Sequence, residues 1–443
     1  MRVLVMDIEG GGTGINLALR AQAWEHQVRY WMPTRGGKPR PYGDGLLLKP
    51  PEWEPSMDWA DLVILTGNNK YASPLNEYFG KGYPIFGANI KGAELELDRG
   101  KGQEVLKRYG VKTIPFQVVA SPEEGIALIK ETGKAYAMKP WGGVEDCALT
   151  YVSRSPDDGI FTLNKWKSEG TFKGQLMMQE KIDGIEMGIS GFFGPGGWNK
   201  ALEESFEHKK FLNDDLGANT GEMGTVIRHV ARSKLFDQVL EPVTDYLHSI
   251  NYVGDCSVNC MVNDKGTAWP MEFTMRMGWP DFNIRQEVIN GDPVEWIKDL
   301  IDGKDTLDVS TKIAVGVVMA HGDFPHETTG PEPWSEFPIY GIDESNEPHL
   351  HHQQVMEGKG FLWAGGKLTQ PRMLLTAGTY VMVVSGSAHT VEGAAAKAYE
   401  VAWNIKWPSN IVFRTDIGKR LEDQLPKLQK HGFAVGMRYA RAG

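Results

Sequence analysis

The chain is poor in cysteine, and its few cysteines do not form the pattern of a disulfide framework. Its 443 residues include three, at Cys147, Cys256 and Cys260. A small, odd number of cysteines is typical of a reducing compartment. Cys256 and Cys260 have no partners at zinc-ligand spacing, so we expect both to be small buried residues. These observations predict a cytoplasmic protein.

Long hydrophobic runs are also missing. The N-terminal run "VLVM" is interrupted at Asp7. No stretch approaches the about 18 apolar residues that a membrane helix needs. The sequence therefore predicts neither a signal peptide nor a membrane span, and no membrane partner.

Positive charge does not dominate either. The chain has 47 Lys and Arg against 57 Asp and Glu, a formal net charge of −10. Proteins that bind nucleic acid through their overall electrostatic field are usually basic, so we expect no nucleic-acid partner. There is also no Walker A sequence, internal repeat or low-complexity tail.

What the chain does have is length and a changing rhythm of elements. A chain this long exceeds one compact core, so we expect several domains. In the first hundred residues short apolar strands alternate with helices, such as one over 15–26, which predicts a parallel sheet. Residues 115–185 indicate a compact α+β unit, and residues 186–320 indicate longer strands. Proline and charge between 322 and 350 mark a boundary before a strand-rich end with a helix around 392–405.

The segment "EGGGTG", residues 9–14, follows a strand and opens a helix. A glycine turn there lets backbone N–H groups face an anion at a helix N-terminus. It is a poor dinucleotide fingerprint, because the third required glycine position is Ile15 and the second strand ends in basic residues. A phosphate or small-substrate loop and a structural turn both remain open.

Two further segments are candidates for ligand binding. Lys139 in "AMKPWGGV" ends a strand before a glycine pair, where a lysine holds a phosphate or simply lies at the surface. The segment "QEKIDGIE", residues 179–186, follows an apolar element and has an acid near each of its ends, Glu180 and Glu186. Such an edge can bind adenine through backbone groups and ribose through a carboxylate.

Two more segments carry unusual polarity. The loop over residues 207–224 is too polar for core and too rich in small residues for a helix, and loops of this length are often functional. In "WPMEFTMRMGWPDF", Glu272, Thr274 and Arg276 alternate with apolar residues and share one strand face. That face is either solvated or directed into an active site. The three histidines of "HLHH", residues 349–352, have no acid or Cys at a spacing that would complete a metal site, so we expect a solvated turn.

Together these segments resemble the glycinamide ribonucleotide synthetases (phosphoribosylamine–glycine ligases), a family of the ATP-grasp superfamily. "GANTGEMG" is similar to the family's loop Pro-Asn-Thr-Gly-Gly-Met-Gly, and "MEFTMRMGWPD" to its strand Glu-Phe-Asn-x-Arg-x-Gly-Asp-Pro-Glu. "QEKIDGIE" stands where the family has its hinge. The stretches "TAGTYVMVVSGSAHTVEGAAAKAYEVAWNI" and "FRTDIG" look like its C-terminal domain. Five segments in the family's order carry the resemblance nearly end to end.

The resemblance implies an ATP-grasp fold with α/β and α+β parts, an N-terminal parallel α/β domain and a C-terminal β-rich domain. The domains we expect from it are an N-terminal substrate domain over 1–100, a central domain over 101–114 and 186–325, a small lid over 115–185 and a C-terminal domain over 326–443. It also implies a carboxylate–amine ligase that uses ATP and Mg²⁺ (or Mn²⁺). The reaction passes through an acyl phosphate that an amine then attacks. We expect a monomer or homodimer whose small-molecule substrates are an amino acid, most simply glycine, and a phosphorylated amine such as phosphoribosylamine.

The resemblance also assigns roles to individual residues. The residues expected to act in catalysis are Arg276, Asn219, Thr220 and Gly221. Those expected to hold the nucleotide are Lys139, Gly142, Gly143, Glu180, Lys181, Ile182, Glu186 and Lys209. The expected metal ligands are Glu272, Thr274 and Asn259. The expected substrate-binding residues are Gly11, Gly12, Thr13, Asp215, Glu222 and Met223.

The sequence departs from the family pattern at several of these places. Thr274 replaces an asparagine and is a poorer metal ligand, Glu222 replaces a glycine of the substrate loop, and Trp279 replaces an aspartate. A glutamate adds bulk and charge beside the expected amino-acid site. The rival interpretation is therefore an ATP-grasp protein that binds nucleotide without catalysis.

Overall fold

The first hundred residues form a parallel sheet with helices packed on it. The computed structural model describes residues 1–68, 72–141, 150–170, 174–326 and 335–440. The sheet order is β2-β1-β3-β4, all parallel, which agrees with the strand–helix alternation. Its elements are β1 (Arg2–Met6), α1 (Ile15–Ala23), β2 (Gln27–Trp31), α2 (Glu54–Met57), β3 (Leu62–Leu65), α3 (Ala72–Gly80) and β4 (Ile85–Phe86). Helices α4 (Ile90–Leu97) and α5 (Arg99–Arg108) follow and meet at Asp98.

A small α+β unit comes next. Its antiparallel sheet has the order β5-β8-β6-β7, and its elements are β5 (Phe116–Val119), α6 (Pro122–Thr132), β6 (Tyr136–Pro140), β7 (Tyr151–Val152), α7 (Pro156–Glu169) and β8 (Leu176–Glu180). Ser121 and Ser155 cap the two helices, each with proline at the first helical position, as the sequence "SPEEG" predicts for α6. The unit has its own apolar core around Met138, Leu163 and Met178.

One large antiparallel sheet forms the centre of the molecule. Among the described residues it has ten strands, and its main order is β16-β15-β9-β11-β14-β17-β23-β18. The strands from this part onward are β9 (Ile185–Gly194), β10 (Gly197–Trp198), β11 (Leu202–Glu207), β12 (Lys210–Leu212), β13 (Leu216–Asn219), β14 (Gly224–Val230), β15 (Gly254–Val262), β16 (Ala268–Thr274), β17 (Ile313–His321), β18 (Leu350–His352), β19 (Val355–Lys359), β20 (Leu362–Ala364), β21 (Lys367–Thr369), β22 (Arg372–Thr376), β23 (Tyr380–Ala388) and β24 (Ile411–Val412). The accompanying helices are α8 (Lys234–Val239), α9 (Thr244–Ser249), α10 (Asp281–Arg285), α11 (Glu295–Ile301), α12 (Val391–Asn404) and α13 (Leu421–Gln429).

The large sheet crosses the boundary expected near residue 325. Strand β17 pairs with β14 on one side and with β23 on the other, so the hydrogen bonding is continuous from the central part into the C-terminal part. The division of the chain into four domains stays a prediction.

Two expectations about single residues can be compared with the structure. Cys256 and Cys260 are buried, as expected, whereas Cys147 lies outside the described residues. The expectation of a solvated turn for "HLHH" is wrong. His351 and His352 lie in β18, which pairs with β23. His351 is fully buried, and both nitrogens of its ring have hydrogen-bonding partners there, Asn16 Nδ2 and Ser385 Oγ.

No helix in the described ranges has both the length and the hydrophobicity needed to cross a bilayer.

Candidate active site

One face of the large sheet is polar at the edge formed by β16, β15 and β9. Glu272 on β16 lies opposite Asn259 on β15, and Asn259 lies opposite Gly188 on β9. Residues directly opposite each other in a sheet project to the same face. The other face carries the main core, which includes Phe273 and Val258. The polar side of the "MEFT" strand is therefore the face away from the core, and the side chain of Glu272 on it is 35% exposed.

Glu272 lies between two cations. Its Oε2 atom is 3.3 Å from Arg99 Nε and 3.8 Å from Lys139 Nζ. Lys139 contributes most to lowering the pKa of the Glu272 carboxyl to about 2. The carboxylate is thus ionised at every physiological pH and offers oxygen atoms to a hard cation.

Lys139 and Lys209 are two cations close to this carboxylate. The side chain of Lys139 is 10% exposed, and burial lowers the pKa of its ammonium group. Lys209 Nζ lies 2.8 Å from Glu186 Oε1 and 3.1 Å from Glu207 Oε2. Burial opposes its charge, yet Glu186 and Glu207 raise the pKa of Lys209. In the part of the chain that the structure describes, the nearest acid to Lys139 is Glu272 at 3.8 Å, and a desolvated ammonium group of this kind favours an anionic ligand.

The expected metal ligands offer a small set of oxygen atoms. Asn259 Nδ2 donates to Glu207 Oε1 at 2.8 Å, which directs the amide oxygen of Asn259 away from Glu207. Thr274 lies opposite Ser257 at the end of β16. In the described ranges no group of three His, Cys, Asp or Glu side chains could hold a metal alone. These residues fit Mg²⁺, which takes few protein ligands and completes its shell with phosphate and water.

The "QEKIDGIE" segment connects the small sheet to the large one. Glu180 ends β8, and Glu186 lies in β9 next to the polar face. Lys134 pairs with Glu180 at 2.7 Å, and Lys181 pairs with Asp183 at 3.3 Å. Ile182 lies in the short connection between β8 and β9 and is half-buried. A hinge at this place would let the small unit move relative to the site.

A cleft of about 370 Å³ lies beyond the end of β16, at Arg276, and its lining also includes Glu9, Thr13, Trp279, His326 and Tyr380. Arg276 Nε lies 3.1 Å from Glu96 Oε1 and 3.7 Å from Glu9 Oε1. Glu96 in particular raises the pKa of Arg276. Glu96 also accepts the backbone N–H of Met275 at 2.6 Å, so it fixes both the strand end and the guanidinium. The cleft therefore presents one cation and one acid to a small polar ligand.

The glycine loop over residues 9–14 borders this cleft, but two of its backbone N–H groups already have a partner within the protein. Gly10 and Gly11 donate their N–H groups to Asp7 Oδ1 at 3.0 and 3.3 Å. Gly12 has φ +83°, and a side chain there would meet the backbone of Gln353. Gly11 and Thr13 line the cleft, whereas Gly12 is buried. The loop brings Gly11 and Thr13, but not Gly12, to the cleft, while the N–H groups of Gly10 and Gly11 stabilise the turn.

The loop over residues 207–224 divides into a hairpin and a buried end. Asn219 pairs with Lys210 in the exposed β12–β13 hairpin. Thr220 donates its hydroxyl to Lys209 O at 2.8 Å. Gly221 lines the cleft, and a Cβ there would lie 3.1 Å from the Trp279 ring. The absence of a side chain at Gly221 thus permits the Trp279 indole to pack closely against the loop.

The remaining expected substrate residues, Asp215, Glu222 and Met223, do not line the cleft. Asp215 pairs with Arg414 at 2.9 Å and with Arg420 at 3.0 Å, which ties it to the C-terminal part. Met223 is fully buried in an apolar cluster. Glu222 is 3% exposed and accepts a hydrogen bond from the Thr225 hydroxyl. Burial, followed by Glu207, raises the pKa of Glu222 well above its usual value.

Several site residues were not expected from the sequence. Arg99, Glu9, Glu96 and Glu207 contact the expected residues. Glu9 and Glu207 open segments noted in the sequence but were not themselves expected to act, and Arg99 and Glu96 stand in no such segment. Trp279 was noted only as a departure, and its ring packs on Tyr380 with centroids 3.8 Å apart. Tyr380 comes from β23, so no local pattern could pair the two. Gly142 and Gly143, the expected phosphate-loop glycines, lie outside the described residues.

The fold and this site define the class of the protein. A solved phosphoribosylamine–glycine ligase from Thermotoga maritima superposes with a TM-score of 0.71 at 20% identity, covering 94% of this chain and all of that one. A biotin carboxylase–ATP-analogue complex from Campylobacter jejuni superposes with a TM-score of 0.59 at 14% identity, covering 98% and 97%. The chain has the ATP-grasp fold.

Sequence comparison narrows the class to a family. The model "Phosphoribosylglycinamide synthetase, ATP-grasp (A) domain" matches residues 101–282, and "Phosphoribosylglycinamide synthetase, C domain" matches residues 314–420. The chain belongs to the phosphoribosylglycinamide synthetase family, which confirms the resemblance seen in its motifs. A phosphoribosylamine–glycine ligase from Ralstonia nicotianae is 25% identical, covering 94% of this chain and 99% of that one. One from Salmonella typhimurium is 25% identical, covering 76% and 78%.

Proposed function

We propose that this chain is an ATP-dependent ligase that joins glycine to phosphoribosylamine through a C–N bond, a step of purine biosynthesis. The observation that carries the proposal is the ionised Glu272 carboxylate beside Lys139, at the polar sheet face next to the cleft of Arg276. Such an arrangement places a metal ligand, phosphate-binding cations and a small-substrate pocket side by side. Membership of the phosphoribosylglycinamide synthetase family supports the same reaction.

The nucleotide would lie between the small unit and the large sheet. Lys139 and Lys209 would bind its phosphates, and the segment from Glu180 to Glu186, with Lys181 and Ile182, would hold the base and ribose. Glu272, Asn259 and Thr274 would hold Mg²⁺ or Mn²⁺. When bound, the magnesium–ATP complex supplies the phosphoryl group that activates the substrate carboxylate. The protein contributes positioning and charge neutralisation, which are the main sources of catalysis in phosphoryl transfer.

The two remaining substrates would meet in the cleft. Arg276 is the cation available to a substrate carboxylate, and the charge-assisted hydrogen bonds of a guanidinium suit that role. Glu9, whose Oε1 lies 3.7 Å from Arg276 Nε, is suited to an amine. Thr13 and the loop residues Asn219, Thr220 and Gly221 would close around the reacting groups. These small-molecule partners, a cytoplasmic location and a monomeric or homodimeric state all form part of the proposal.

Release of ADP from the purified protein with ATP and Mg²⁺ tests the proposal. Glycine and phosphoribosylamine are added separately and together, and a panel of other amino acids is run in parallel. We expect rapid ADP release only when glycine and phosphoribosylamine are both present. ADP release with another amino acid would keep the ligase but change its substrate. Nucleotide binding without ADP release under any condition would favour the non-catalytic interpretation.

A further inference from the structure

The structure contains a second cavity, which is larger than the cleft of Arg276. Its volume is about 660 Å³, within the range of pockets that bind small molecules. Helix α1 lines one side of it, and the residues that follow α10, together with β18 and β22, line much of the rest. The apolar part of the lining includes Leu19, Leu46, Ile289, Leu350, Met373 and Leu374. Among the described residues none lines both this cavity and the cleft, so the cavity is a separate site.

Arg20 of α1 places a positive charge in this lining, and its partners there are backbone carbonyl groups. Its Nη2 donates to Pro348 O at 2.9 Å, and its Nη1 donates to Gln286 O at 3.4 Å. Glu287, the acid whose charge favours the guanidinium, pairs with His349 at 2.8 Å instead. Arg20 is half-buried and stays charged at physiological pH. A cation in these surroundings favours an anionic ligand.

Two acids also lie in the lining, but each has other surroundings. Glu357 pairs with Arg372, and Glu347 is exposed to solvent. In the part of the chain that the structure describes, neither acid forms an ion pair with Arg20. The cavity therefore keeps a positive charge that no ion pair neutralises within the described ranges.

His352 adds a neutral polar group to the same cavity. Burial, followed by the charge of Arg20, lowers the pKa of His352 to about 4, so the ring is uncharged at physiological pH. A neutral imidazole carries one N–H donor. Its Nδ1 atom is buried and has no hydrogen-bonding partner among the described residues. No protein contact at Nδ1 therefore fixes which ring nitrogen carries the proton.

Trp24 gives the cavity an aromatic side. It ends α1, lines the cavity and is 53% exposed. Its backbone N–H donates to Arg20 O at 3.2 Å, so the two side chains are one helical turn, or about 5–6 Å, apart on the same face of the helix. An exposed aromatic ring beside apolar walls suits a flat apolar group. The spacing also places that group about one helical turn from the cation.

We propose that this cavity is a binding site for an organic anion, a carboxylate or phosphate carried on a flat apolar body. The anionic group would contact Arg20 and His352, and the flat body would lie against Trp24 and the apolar walls. The inference does not require the proposed function, because none of the residues assigned to the ligase reaction lines the cavity.

Calorimetric titration of the wild type with three naphthalene compounds tests the site. 2-Naphthoate carries a carboxylate, 1-naphthyl phosphate carries a phosphate, and 2-naphthylmethanol is uncharged. We expect the preferred anion to bind at least about 10-fold more tightly than the alcohol, because only the anion forms a charge-assisted hydrogen bond with Arg20. The tighter of the two anions identifies the anionic group that the site takes.

Variants then locate the bound probe. Arg20→Gln should weaken binding of the preferred anion by about 10- to 100-fold, and Arg20→Lys, which keeps the charge, should lose less. Trp24→Ala should weaken it by about 2- to 10-fold, the range for an aromatic contact. Arg232→Gln and Trp403→Ala are matched controls at exposed residues outside the lining and should match the wild type. Thermal midpoints show whether each variant is folded, and Trp24→Ala tests the site even where Arg20→Gln does not fold.

Three results would overturn the inference. One is that neither anion binds to the wild type. Another is that the alcohol binds as tightly as both anions, since Arg20 would then contribute nothing. The third is a loss of binding in Arg276→Gln or Lys139→Ala together with full binding in Arg20→Gln, which would place the probe at the ligase site. Loss of binding in both Arg20→Gln and Trp24→Ala, with unchanged thermal midpoints, would support it.

Discussion

Lys139 Nζ lies 3.8 Å from Glu272 Oε2, although the two residues belong to different sheets. Lys139 is on β6 of the small sheet, and Glu272 is on β16 at the edge of the large one. The pair marks where the two sheets approach each other. Its electrostatic effect is strong, because Lys139 is the main cause of the low pKa of Glu272. The first two predictions test its two members separately.

Replacing Glu272 with Gln should abolish ADP formation while the protein remains folded. Gln removes the negative charge that a Mg²⁺ ion would bind, and it leaves Arg99 and Lys139 without their shared acid. Turnover and thermal melting are measured on the same preparation. Glu77→Gln is the matched control, because Glu77 is an exposed acid of α3 that pairs with Lys81. Turnover within about threefold of wild type would place the metal elsewhere, since loss of a metal ligand costs far more.

Replacing Lys139 with Ala should weaken binding of a non-hydrolysable ATP analogue by about 1.5–3 kcal/mol, the range for a hydrogen bond to a charged group. Lys139 is largely buried, so its charge is little screened by water. Calorimetric titration measures the effect. Lys167→Ala on α7 is the control, because Lys167 is exposed and pairs with Glu123. An unchanged dissociation constant in Lys139→Ala would contradict a role for this lysine in phosphate binding.

The sequence alone predicted most of the secondary structure. It also predicted those parts of the site whose residues lie close together in the chain. Periodicity and caps predicted α6 and the parallel sheet, because these depend on residues close together in the chain. The alternation in "MEFT" correctly put Glu272 and Phe273 on opposite faces of β16, since side chains alternate in any strand. The strand ends at Thr274, however, so Arg276 lies beyond it and not on the strand face where it was expected. Helix α1 ends at Ala23, three residues before the expected end.

The pairings between distant residues could not be predicted from the sequence. Contact of Arg99 with Glu272 depends on how tightly α5 packs on β16, which Gly100 and Gly102 permit. The "HLHH" error has a similar cause. A polar triplet indicates solvent when read alone, but β23 and Asn16 supply hydrogen-bonding partners from far along the chain.

His208 should make the stability of the protein depend on pH in the acidic range. Its ring is fully buried, and burial followed by Arg420 lowers the pKa of His208 from 6.5 to about 3. The unfolded chain therefore binds a proton below pH 6.5 that the folded chain does not bind, so stability falls as pH falls from 6.5 towards 3. The loss from pH 7 to pH 5 is about 2 kcal/mol for one group, at about 1.4 kcal/mol per pH unit.

Thermal midpoints of wild type and His208→Gln at pH 7 and pH 5 measure this contribution. Gln can still accept the N–H of Gly418, which His208 Nε2 accepts at 3.1 Å. The midpoint of wild type should fall more between the two pH values than that of His208→Gln. His389→Gln, at an exposed histidine, should follow the wild type. If His208→Gln loses as much stability as wild type, protonation of this ring does not drive the pH dependence.

Glu222 should act as a neutral, buried group and not as a charged partner of the substrate. Glu222 is 3% exposed as a residue, and burial raises the pKa of its carboxyl well above the usual value. An acid with a raised pKa keeps its proton in the folded state, so above pH 4.5 the unfolded chain binds fewer protons and stability falls as pH rises. Glu222→Gln keeps the shape and the contact with Thr225 but removes this titration. Relative to wild type, the variant should therefore become more stable as the pH is raised from 5 to 8.

Steady-state kinetics of Glu222→Gln test whether Glu222 contributes to substrate specificity. A neutral Glu222 does not repel the carboxylate of glycine, so Glu222→Gln should keep kcat/KM for glycine within about twofold. If Glu222 instead pairs, ionised, with a cationic group of another amino acid, kcat/KM for that substrate should fall by about 10²-fold, the equivalent of a charge-assisted hydrogen bond. Glu422→Gln, at an exposed acid of α13, serves as control for both measurements. A loss for one amino acid of the panel, with glycine unaffected, would therefore identify the true substrate and contradict the neutral state of Glu222.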